Sequence, residues 1–139
     1  MKRINHLFIS LLIVAGVLLS SCGAPVPATG DKEAPSELVP IEGTDLSRVI
    51  LTEKAAERIG VETVPVNGMV VPYSAVIYDT EGNTWIYTNP EPLTFVRAPI
   101  VIERIEGDQA FLAQELESGD PIVTVGVIEI YGAETGVSK

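Results

Sequence analysis

The 139-residue chain has little of what most active sites are made from: one cysteine, Cys22, and one histidine, His6. A lone cysteine excludes an intramolecular disulfide, so the fold must stand on its core alone. Beyond residue 22 there is neither thiol nor imidazole, which closes serine–histidine and cysteine–histidine catalysis and removes the soft metal ligands. Two methionines, Met1 and Met69, form no cluster for copper or silver. Cations are scarce too: nine Lys and Arg stand against nineteen Asp and Glu, a formal charge of −10. DNA, RNA and anionic lipid faces need clustered cations, so the composition argues against all three as partners. A carboxylate pair remains conceivable, but no acid stands in an apolar setting that would single it out as a proton donor or base. No catalytic residue, cofactor or metal ligand is expected, and the chain is read as not an enzyme.

What is present begins with Met1-Lys2-Arg3, a short basic stretch, followed by an apolar run from Leu7 to Leu19. That run, about 13 residues, suits a signal h-region and falls short of the roughly 18–20 a spanning helix needs. Leu19-Ser20-Ser21-Cys22 follows at once. It resembles the lipobox of bacterial lipoproteins, in which the cysteine sulfur takes the lipid and becomes the new N-terminus. The resemblance implies a signal peptide over residues 1–21, lipid attachment at Cys22 and an extracytoplasmic place in the cell envelope, tethered to a membrane. Two or three acyl chains hold firmly because each buried CH₂ adds roughly 0.8 kcal/mol. Cleavage there would remove Lys2, Arg3 and His6, leaving seven cations against the same nineteen acids, a charge of −12.

Residues 22–45 read as a flexible tether, carrying Pro25, Pro27, Pro35 and Pro40 among small and acidic residues. Periodicity starts near Leu46, and residues 46–134 read as one domain with a loose end over 135–139. Arg48–Leu51 suggests a strand. Thr52 is a fitting N-cap for a helix over residues 53–59, with Gly60 as its stop. Val61–Val66 alternates as a strand does, and Asn67-Gly68 predicts a tight hairpin returning through Met69-Val70-Val71. Further strands are expected over 74–78, 84–88, 95–104, 109–113 and 122–131, with Pro99 marking an edge or a bulge. The pattern predicts a mainly β fold, a small β-barrel or sandwich with one short helix.

From Val71 to Gly126 the order of short motifs resembles the membrane-proximal domain of periplasmic adaptor subunits, the membrane fusion proteins of tripartite efflux systems. The matching stretches are Val71-Pro72-Tyr73-Ser74-Ala75-Val76, Gly82-Asn83-Thr84-Trp85-Ile86-Tyr87, Arg97-Ala98-Pro99-Ile100, and Leu116-Glu117-Ser118-Gly119-Asp120-Pro121-Ile122-Val123 with Gly126. Val49–Thr52 with Ile59-Gly60-Val61-Glu62-Thr63 is similar to the segment that opens many adaptors. The family often has glycine where Glu103 and Glu115 stand, so those turns are expected to differ. Where adaptors insert their barrel, lipoyl and hairpin domains, only Asn67-Gly68 intervenes. What the resemblance implies is a truncated adaptor-like accessory protein that contacts an inner-membrane transporter or an adaptor complex.

Other readings stay beside it. One is a lipid-tethered β-domain that binds a small ligand or envelope polymer; a third is a carboxylate hydrolase. Asp79-Thr80-Glu81-Gly82-Asn83 invites a calcium reading, but glycine stands fourth where an EF-hand loop wants it sixth, and a turn explains these residues better. Trp85 and Tyr87, on alternating strand positions, face one way. Buried they form a cross-strand cluster, the more frequent outcome; exposed they are the first candidates for a partner surface.

Overall fold

A computed structural model describes residues 34–66, 68–116 and 118–136. The expected signal peptide, Cys22, the tether up to residue 33 and Asn67 lie outside the described residues. In chain order the elements are β1 (Ser36–Pro40), β2 (Ser47–Leu51), α1 (Glu53–Ile59), β3 (Glu62–Val64), β4 (Val70–Pro72), a 3-10 turn (Tyr73–Ala75) and β5 (Ile77–Tyr78). There follow β6 (Thr84–Glu91), β7 (Thr94–Ile100), β8 (Ile102–Glu106), β9 (Gln109–Leu112), β10 (Ile122–Val125) and α2 (Val127–Thr135). The fold is mainly β, with every strand pairing antiparallel in two sheets. The larger runs β1-β2-β7-β6-β10-β3, with β5 also pairing β6; the smaller runs β4-β9-β8. Neither closes into a barrel.

Period-two alternation on β6 and β7 builds the two halves of the core. Tyr87 and Phe95 point to one face, where Val49, Leu51, Ala55, Val123, Val127 and Ile130 bring α1 and α2 against them. Ile86 and Ile100 point to the other, where Val71, Ala110 and Leu112 of the smaller sheet meet them. The larger sheet is therefore a middle layer, and β10 serves both sides, Ile122 below and Val123 above. Each such buried aliphatic side chain contributes roughly 1.5–3 kcal/mol. Helix α1 forms as its sequence demands: the Thr52 side chain accepts from the Ala55 N–H at 3.2 Å, and Gly60, at φ 70°, donates back to Ala56 and Glu57.

Several expectations need correcting. The tether does not reach residue 45, because Ser36–Pro40 pair with Ser47–Leu51 as the outermost strand pair of the larger sheet. Alternation there is too weak to read: Val39 is half-buried while Leu38 faces solvent. The strands expected to meet across Asn67-Gly68 do not pair with each other. β3 pairs with β10 in the larger sheet and β4 with β9 in the smaller, so the segment is a crossover. Val64 and Val66 pack on the lower core, and that burial carries the chain across between layers.

The stretch 95–104 is not one strand: it breaks at Val101, and β8 leaves for the smaller sheet. Pro99 fits its position, since β2 pairs with β7 only from Thr94 to Val96 and the backbone beyond is a local edge. Glu103 sits where β8 slips register against β9, a bulge made without positive φ. Residues 74–78 begin with the 3-10 turn, and β6 runs on to Glu91 before turning at Leu93, φ 60°.

The largest difference is at the end. The expected strand 122–131 stops at Val125, Gly126 turns at φ 85°, and the chain continues as α2, so the described residues hold two helices, not one. Thr135, assigned to a loose end, still belongs to that helix. The β-branched run suggested a strand, but Val127, Ile130, Tyr131 and Glu134 recur at helical spacing and face the sheet together.

Gly126 is the pivot. A Cβ there would lie 2.5 Å from Ile59 Cγ2 and 3.2 Å from Val61 Cγ2, on top of the left-handed backbone. Gly126→Ala should therefore destabilise the fold by about 3 kcal/mol or more, summing backbone and overpacking costs. Gly82, at φ 87° with open space around it, should lose only about 1 kcal/mol as alanine. Denaturant midpoints of the two variants check this, and equal losses would contradict it.

Candidate interaction surface

Trp85 and Tyr87 face the same side of β6, but the structure separates their roles. Tyr87 is fully buried and cannot meet a partner. Its hydroxyl donates to Glu134 Oε2. Burial first, then this carboxylate, raises the phenol's pKa and keeps it protonated. Glu134 is itself buried, its side chain 5% exposed, and lies beside Arg97, whose Nε is 3.3 Å from Oε2. That N–H is not aligned on the carboxylate and makes no hydrogen bond, so the contact is an ion pair. The Arg97 guanidinium also lies 4.5 Å from the Trp85 ring centre and 5.6 Å from that of Tyr131, within cation–π range. The cluster locks α2 to the sheet. It is structural, and every charged member has a neighbour.

Sequence reasoning missed Arg97, Tyr131 and Glu134. The signals existed: Arg97 stands directly across from Tyr87 in register, and Tyr131 and Glu134 are three apart on α2.

Trp85 is half-buried and is held by the turn before it. Asp79 accepts four hydrogen bonds: Oδ1 from the Glu81 and Asn83 amides at 2.9 and 2.8 Å, Oδ2 from Asn83 Nδ2 and Trp85 Nε1, both at 2.9 Å. The donors, Asn83 first and then Trp85, hold its pKa well below the usual carboxylate range. The acids that invited a calcium reading thus organise a turn. Among the described residues no group of three or more His, Cys, Asp or Glu is placed to hold a metal.

Around this turn lies exposed apolar surface. Tyr73, Tyr78 and Val101 are 40%, 49% and 55% exposed. The neighbouring Tyr73 phenol first, then burial, raises the pKa of Tyr78. Tyr78, Trp85, Val101 and Ile102 line one open concavity of about 740 Å³. Of the two residues first considered for a partner, only Trp85 reaches it. No helix among the described residues is long and apolar enough to cross a membrane. Comparison with known families, curated proteins and solved structures finds no match.

The Asp79 turn has a pH signature. Its folded pKa lies below the unfolded one, so its stabilisation is complete above about pH 4 and fades as pH falls toward the folded value. Asp79→Asn should be less stable than wild type at neutral pH, and the gap should narrow below about pH 4. Fluorescence of Trp85, the only tryptophan, reports both unfolding and the lost indole contact. A gap independent of pH would contradict this.

Proposed function

We propose that this chain is a non-enzymatic accessory lipoprotein of the cell envelope that works by contact with a membrane transporter or an adaptor complex. The observation that carries this reading is the exposed face of Tyr73, Tyr78 and Val101 beside Trp85. Exposed apolar residues scattered singly are ordinary, but aromatics gathered around one concavity are what protein interfaces are built on. The adaptor-like order of motifs from Val71 to Gly126 supports the same reading, and the Cys22 lipobox would hold the domain beside a membrane. Trp85, pinned by Asp79 and overlain by Arg97, is already ordered, so presenting it to a partner loses little side-chain entropy.

Photo-crosslinking in intact membranes tests this. A benzophenone side chain at position 78 or 101 should capture a transporter or adaptor subunit, whereas one at Glu57, on the exposed side of α1, should not. Cys22→Ala should abolish fatty-acid labelling and with it most of the capture. Equal capture from position 57, or recovery of the monomer alone, would contradict the proposal.

A further inference from the structure

A second concavity lies on the face of β7 opposite Arg97. Val96, Ala98 and Ile100 form its floor, and the loop from β9 to β10 walls it with Leu116 and the acids Glu115 and Asp120. It encloses about 410 Å³, within the range of small-molecule sites and too small for a folded partner. It meets the Tyr78 concavity at Pro99 and Ile100. Among the described residues no lysine or arginine lines it, and the chain as a whole carries −10.

These features select one ligand chemistry. An apolar floor rewards burial of hydrocarbon or an aromatic ring at roughly 25 cal/mol per Å². Two carboxylates at the wall attract a positive charge, more strongly in a partly dry cleft than in bulk water. The acidic field of the whole chain repels anions and concentrates cations. A neutral apolar molecule would use the floor and gain nothing from the wall. We infer that this cleft binds a small organic cation with an apolar body, its charge at Glu115 and Asp120 and its apolar part on Val96, Ala98 and Ile100. The inference stands on the cleft and does not require the partner contact proposed above.

Benzyltrimethylammonium is a suitable probe, with neopentylbenzene as its uncharged isostere and benzenesulfonate as an anion of similar size. Titration of the full chain in nonionic detergent, followed by saturation-transfer NMR, should show the cation binding, the isostere weaker and the anion absent. Glu115→Gln with Asp120→Asn should weaken the cation by about tenfold, equivalent to about 1.4 kcal/mol. The control pair Glu53→Gln with Glu57→Gln removes the same charge from α1 and should leave affinity nearly unchanged. Val96→Phe, which fills the floor, should block the cation while circular dichroism reports a folded domain. Added salt should weaken binding to wild type more than to the cleft double variant. The inference is overturned if the cation fails to bind, if the isostere binds equally well, or if the cleft and control pairs weaken it alike.

Discussion

The buried Glu134 carboxylate constrains the rest of the structure. An ionised carboxylate taken out of water must find partners that replace hydration, or it destabilises the fold by several kcal/mol. Its partners come from three separate strands: the Tyr87 hydroxyl on β6, the Arg97 guanidinium on β7, and the Ser47 amide of β2 at 3.5 Å. Only one rotation and one height of α2 on the sheet satisfy them together. Apolar packing of Val127 and Ile130 supplies the larger stabilisation, but it would tolerate small slips; the polar cluster does not.

Once that face of β6 and β7 is committed to the helices, the surfaces left for function follow. Tyr87 is withdrawn into the core, and Trp85 stays half-exposed because its indole N–H is claimed by Asp79 at the start of the strand. The aromatic concavity around Tyr78 and the acid-walled cleft beneath β7 lie to either side of Pro99 and Ile100. Both concavities are therefore lined largely by strand residues, and Leu116, Ser118 and Asp120 border the second.

The sequence was most legible where local chemistry decides the outcome. Thr52 and Gly60 bound α1 because capping needs only neighbours, and Asp79 to Asn83 make a turn because one carboxylate can gather the amides that follow it. The reading failed where distant burial decides. Asn67-Gly68 has the chemistry of a hairpin, yet its flanking strands are claimed by β10 and β9 in different sheets. Val127 to Tyr131 has the propensity of a strand, yet the sheet already has its place filled, and helical spacing of Val127, Ile130, Tyr131 and Glu134 buries more. Of the candidate surface, Trp85 was found through its alternation with Tyr87. Tyr73, Tyr78 and Val101 escaped because no local rule distinguishes an exposed strand-end apolar residue from a buried one.

Glu134 and Tyr87 act as one unit in fixing α2. A double-mutant cycle of Tyr87→Phe and Glu134→Gln, read by denaturant unfolding, tests it most directly. Each single change should destabilise, the first because it leaves a buried carboxylate short of a donor. The double variant should recover a coupling of at least about 1 kcal/mol, as expected for groups in direct contact. Strictly additive losses, with hydrogen exchange in α2 unchanged in both single variants, would contradict the account.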